Sequence, residues 1–153
     1  MKKIILLTFL VSNIFAFSYH DLCKKLPNKI YDFTAIDKCD GIDMNINDIK
    51  SSQASKKYVF LDKRMEVMII RGSFALQYLP LISQNISIHS NETILYTTKI
   101  KGKKAVINID IPSNSIQLII LLDKKYPELL IINLNERDEQ KAKRIAKEIL
   151  SKF

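Results

Sequence analysis

Apolar residues recur along this chain in three rhythms, and each predicts a different kind of element. Between residues 57 and 134 the period is two, or the apolar run is continuous, in short segments parted by polar turns. Tyr58–Leu61 and Met65–Arg71 flank Asp62-Lys63, and Ile86–His89 and Thr93–Ile100 bracket Ser90-Asn91-Glu92. Lys104–Asp110 follows across Lys101-Gly102-Lys103; there Ile107 and Ile109 alternate with Asn108 and Asp110, as on a half-buried strand. Ile116–Leu122 comes after a turn at Pro112-Ser113-Asn114 and is almost unbroken Ile and Leu, which predicts a central strand covered on both faces. Leu129–Leu134 follows Lys124-Lys125-Tyr126-Pro127. Connections this short join antiparallel neighbours, so the expectation is a meander of about six strands.

A helical period governs the C-terminal end. Ala142, Ile145, Ala146, Ile149, Leu150 and Phe153 step by three and one, which lines them on one stripe. Asn135 is the expected N-cap, with Glu136, Asp138 and Glu139 in the first turn, where the helix dipole favours acids. Glu139 and Lys143 form a favourable i,i+4 pair. Burying Ile145, Ile149, Leu150 and Phe153 against the sheet contributes about 1.5–3 kcal/mol each before entropy is subtracted. A shorter helix is predicted over Phe74–Leu79, capped by Ser73 and ended by Pro80.

Upstream the pattern is weaker. His20–Leu26 reads as a short helix stopped by Pro27, and Ile30–Ile36 as an edge strand. Asp37–Ser55 is rich in Asp, Asn and Ser and reads as a loop, with Ile42, Met44, Ile46 and Ile49 packing part of it on the domain. The fold class is therefore α+β, an antiparallel β-meander packed by a C-terminal amphipathic helix. Residues 19–56 form an N-terminal segment and 57–153 the sheet with its helix, together one domain over 19–153.

The third rhythm is the almost wholly apolar run Ile4–Val11, preceded by Lys2 and Lys3 and followed by Ala16-Phe17-Ser18. Small residues at −3 and −1 suit a signal peptidase, so residues 1–18 are expected to be a signal peptide removed before Tyr19. Ile4–Phe17 is too short to span a bilayer, which takes about 20 apolar residues, and no later segment is long enough. Cys23 follows His20-Asp21-Leu22, which does not fit a lipoprotein site. The expected address is export: periplasmic in a Gram-negative cell, otherwise secreted.

Export changes how the remaining composition is read. The chain carries +8, of which Lys2 and Lys3 leave with the signal, so the domain keeps +6. Nucleic acid is not a natural partner outside the cytoplasm; an anionic envelope surface or another envelope protein is. The two cysteines, Cys23 and Cys39, are expected to form a disulfide. A loop of that length contributes about 3 kcal/mol in the chain-entropy model. Lys99, Lys101, Lys103 and Lys104 crowd around Gly102 and are the candidate rim for an anionic ligand.

Familiar catalytic signatures are missing. Gly41, Gly72 and Gly102 are too far apart to form a phosphate-cradling loop, and no Gly-x-Ser-x-Gly elbow occurs. His20 and His89 have no helper motif. His20-x-x-Cys23 has metal-chelating spacing, but a disulfide consumes its thiol. The stretch Asp37–Asp48 fails the calcium-loop pattern in either register, with Asp48 where glycine is needed or Ile36 where the first aspartate is needed. No catalytic, cofactor-binding or metal-ligating residue is assigned, and no cofactor is implied. The expected function is a non-enzymatic exported binding or envelope-associated module; the alternative is a small secreted hydrolase built on loop-borne Asp, His or Ser.

Overall fold

Strands as densely apolar as residues 116–134 need cover on both faces, and the fold is arranged to supply it. The computed structural model of the chain describes residues 18–153, so the expected signal peptide lies outside the described residues except for Ser18. Helix α1 (Tyr19–Cys23) begins at Ser18, whose hydroxyl accepts from the His20 amide. Strands β1 (Lys29–Ile30) and β2 (Phe33–Ala35) make a small hairpin, and β3 (Asp40–Ile46) and β4 (Ile49–Phe60) a long one. Strand β5 (Lys63–Gly72) leads into two short helices, α2 (Ser73–Leu76) and α3 (Leu79–Ser83). An antiparallel meander follows: β6 (Ser87–His89), β7 (Thr93–Ile100), β8 (Lys103–Asp110), β9 (Ser115–Asp123) and β10 (Glu128–Leu134). Helix α4 (Glu139–Leu150) closes the domain.

All ten strands belong to one sheet, ordered β1-β2-β4-β5-β10-β9-β8-β7-β6, every pairing antiparallel. Strand β3 shares the outer edge of β4 with β2. Side chains of even number on β9 and β10 (Ile116, Leu118, Ile120, Leu130, Ile132, Leu134) face a large core closed by Ala142, Ile145, Ala146 and Ile149 of α4 and by Leu22 of α1. Odd-numbered Ile119, Leu129 and Ile131 face a smaller core under α2 and α3, with Ala75 and Ile82. The period-two logic of a strand thus produces two cores from one sheet.

The antiparallel sheet and the C-terminal helix are as the pattern predicts, and Ile116–Leu122 does sit centrally with both faces covered. Several details differ. Residues 37–55 are largely not loop: Asp40–Ile46 and Ile49 onward pair as strands about Asn47-Asp48, both at positive φ (50° and 64°). That turn type matches the twist of a tight hairpin, and Asn and Asp tolerate it. The sheet therefore has more strands than the predicted meander, and β10 returns to pair with β5 across the chain.

Pro80 does not end a helix but lies in the first turn of α3, where its missing N–H costs nothing. Ahead of α2 it is Gly72, at φ 80°, that turns the chain, and no side chain caps that helix. The N-cap of α4 is Asp138, accepting from the Lys141 amide at 2.9 Å, rather than Asn135. Asn135 instead extends the β5–β10 ladder, its Oδ1 accepting from the Arg64 amide while its own N–H donates to the Arg64 carbonyl. Phe153 falls beyond α4 and is 43% exposed, with the Lys25 ammonium 4.8 Å from its ring centroid.

Candidate functional site

The face that carries α2 and α3 continues past both helices, and there its side chains turn from apolar to polar. One cross-sheet row shows this directly. Lys57 on β4 stands opposite Glu66 on β5, Glu66 opposite Asn133 on β10, Asn133 opposite Gln117 on β9, and Gln117 opposite Asn108 on β8. With strands about 4.8 Å apart, the three amides span about 10 Å. The row floors a concavity of about 800 Å³, walled on one side by Ile36 and Asp37 after β2 and edged by Arg64, Asp110 and Ser115.

Hydrogen bonds fix what this floor presents. Gln117 Nε2 donates to Asn133 Oδ1 at 2.8 Å, which orients both amides. Gln117 then keeps its Oε1 as an acceptor and Asn133 its Nδ2 as a donor. Asn108 Oδ1 is shut off from solvent and has no hydrogen-bond partner, the one such side-chain atom among the described residues. A buried unpaired acceptor costs about 1–3 kcal/mol, so it is ordinarily eliminated unless something outside the chain satisfies it. The floor therefore mixes amide acceptors and amide donors, with Lys57 and Arg64 beside the carboxylates of Glu66 and Asp37 toward β4 and Asp110 toward β8. Such a surface suits a ligand bearing amide or hydroxyl groups. The chain matches no family model, no curated protein and no solved structure.

The residues singled out from the sequence lie elsewhere. Cys23 and Cys39 are joined, their Cα atoms 5.7 Å apart, tying the end of α1 to the start of β3. Close by, Asp43 Oδ1 accepts from the Tyr19 amide at 2.7 Å and the Ser52 hydroxyl at 2.8 Å, so this carboxylate holds the segment in place. Among the described residues no three His, Cys, Asp or Glu side chains gather around a common point. His20 is on α1 and His89 on the edge strand β6, and neither lines the concavity.

The lysine rim divides. Lys99 and Lys104 are directly opposite each other on one face of the β7–β8 hairpin, and Lys101 sits in its turn at φ 49°. Lys103 belongs to the other face, where its ammonium donates to the Leu122 carbonyl at 3.0 Å.

Nothing in the sequence pattern marked Asn108, Gln117 and Asn133 as a group. Each breaks an otherwise apolar stretch, but strand register alone makes them neighbours.

The strongest electrostatic features are structural. Glu128 is buried and takes the charges of Lys25, at 2.8 Å, and Arg71. Lys56, also buried, donates to the Leu26 carbonyl and to Asn28 Oδ1, and burial lowers its pKa. Tyr58 donates to the Pro27 carbonyl at 2.8 Å, and burial pushes its phenol well up. On the α4 side, hydrogen bonds from Lys143 and Tyr96 lower the Glu139 pKa.

Proposed function

We propose that this chain is an exported, non-enzymatic binding protein that receives its ligand on the open polar end of the α2–α3 face. The unpartnered Oδ1 of Asn108, beside the oriented Gln117–Asn133 amides, is the observation that carries the reading. A surface shaped only for folding has no use for a desolvated acceptor, whereas a turn of the Asn108 amide toward the concavity would let a ligand N–H or O–H satisfy it. Both histidines and both cysteines lie outside the concavity, which favours binding over hydrolysis. Export is supported by the leader-like residues 1–18 and agrees with the Cys23–Cys39 disulfide, since such bonds persist in oxidising compartments. Among the described residues no helix is long and apolar enough to cross a membrane. The partners envisaged are another envelope protein or an anionic envelope surface.

The test is nuclear magnetic resonance of residues 19–153, titrated with short uncharged peptides and with disaccharides. Expected are selective shifts of the Asn108, Gln117 and Asn133 side-chain amide signals, lost at the other two positions in Asn108→Leu. If neither ligand class moves these signals, the reading fails. N-terminal sequencing of the exported chain checks the address; a start at Met1 would contradict it.

A further inference from the structure

On the same sheet face as the amide floor, but at the opposite end of the β7–β8 hairpin, the fold juxtaposes two positive charges that nothing in the described chain neutralises. Lys99 and Lys104 are in-register cross-strand partners, so their side chains leave the sheet side by side. Like charges so placed repel, and strands normally put opposite charges there. Neither lysine takes part in an ion pair among the described residues.

Beside them is a second concavity of about 190 Å³, reached also by Gln84 and Asn85 after α3 and by Thr97 on β7. A water takes about 30 Å³ of liquid, so the space holds roughly six waters, or one tetrahedral oxyanion with part of its hydration shell. No carboxylate lines it. Thr97 Oγ1 accepts from the Ile86 amide at 3.1 Å, which pins the side chain and leaves its O–H to donate. The wall thus offers two ammonium groups, a hydroxyl and amide N–H groups, a donor set that complements phosphate or sulfate oxygens.

We propose that Lys99, Lys104, Thr97 and the Gln84-Asn85 turn form a binding site for a phosphate- or sulfate-type oxyanion, separate from the amide floor. An anion between the two ammonium groups converts a repulsive pair into a bridged one. This narrows the lysine cluster to two members, because Lys103 is engaged on the opposite face and Lys101 is in the turn. The same chemistry is carried by a free oxyanion and by the headgroup of an anionic phospholipid.

Thermal unfolding of residues 19–153 with inorganic phosphate, compared with sodium chloride at matched ionic strength, tests the site. Flotation with phosphatidylglycerol and with phosphatidylcholine vesicles runs alongside. Phosphate should raise the melting temperature beyond chloride, and Lys99→Gln or Lys104→Gln should each weaken that binding about tenfold. Lys104→Glu should melt higher than the native chain without phosphate and show no response to it, which mere loss of structure cannot produce. Binding to phosphatidylglycerol but not phosphatidylcholine vesicles, abolished by both Gln variants and unaccompanied by a phosphate effect, assigns the oxyanion to a lipid headgroup. The proposal is overturned if phosphate acts no differently from chloride and neither vesicle binds, or if both Gln variants behave as the native chain.

Discussion

Replacing Asn108 by leucine should stabilise the unliganded protein while destroying its polar floor. Asn108 lies in β8 between Ile107 and Ile109, both buried, and faces the concavity with Gln117 and Leu95 as cross-strand neighbours. Its Oδ1 is desolvated and unpaired, a penalty of about 1–3 kcal/mol in the folded state only. Leucine has the same branching and no polar atom, and its greater bulk has room on the side open to the concavity, so it removes the penalty. Against that, the side chain is only partly buried, and a leucine there presents some apolar surface to water. The net expectation is a gain of about 1 kcal/mol. For a domain of this size that is a rise in melting temperature of about 3–5 °C. Urea unfolding followed by circular dichroism measures it, with an unchanged m-value confirming that the same surface is exposed. Equal or lower stability for the leucine variant would refute the argument that this acceptor is held at a cost for a ligand.

Two further outcomes follow from the buried charges and hydroxyls. Glu128→Gln leaves the Lys25 and Arg71 charges facing a neutral amide at a buried position, and urea unfolding should show a loss of about 2–3 kcal/mol, discounted for the partial exposure of both cations. Tyr58 has a folded-state pKa raised by burial, so its stabilising contribution is complete below the ordinary phenol value of about 10 and is lost as pH rises past it. Tyr58→Phe should therefore unfold less steeply above pH about 10, at a cost near neutrality of about 1 kcal/mol for the bond to Pro27; an unchanged alkaline slope would show that Tyr58 does not govern it.

What could be read in advance depended on whether the information was local. The strand pattern from Tyr58 to Leu134 and the α4 stripe are local periodicities, and strands and a C-terminal helix form there, although α4 ends at Leu150, short of Phe153. The β3–β4 hairpin was obscured by composition. Its Asp, Asn and Ser residues resemble a loop because much of it projects past the cores, leaving Ile42, Ile46 and Ile49 exposed. The Asn47-Asp48 turn was the available signal. Asn135 resembled an N-cap because residue type alone cannot tell a helix start from a side chain that caps a strand ladder. The amide floor was further from reach. Asn108, Gln117 and Asn133 come from three strands, and the pairing register that aligns them is a tertiary property.

The β5–β10 pairing has a kinetic consequence. Arg71 and Glu128, at one end of that ladder, are 57 residues apart, while every neighbour pair within β6–β10 is joined by a short turn. Closing the long loop is the entropically expensive step, so the meander and the β4–β5 hairpin should form before the ladder that unites them. In the interval β5 presents a free edge carrying Met65, Val67 and Ile69, the kind of strand that recruits other chains. A chain translocated from its N-terminus would expose that edge until β10 emerged. Pulsed hydrogen exchange during refolding should find β7–β8 amides protected ahead of those between β5 and β10.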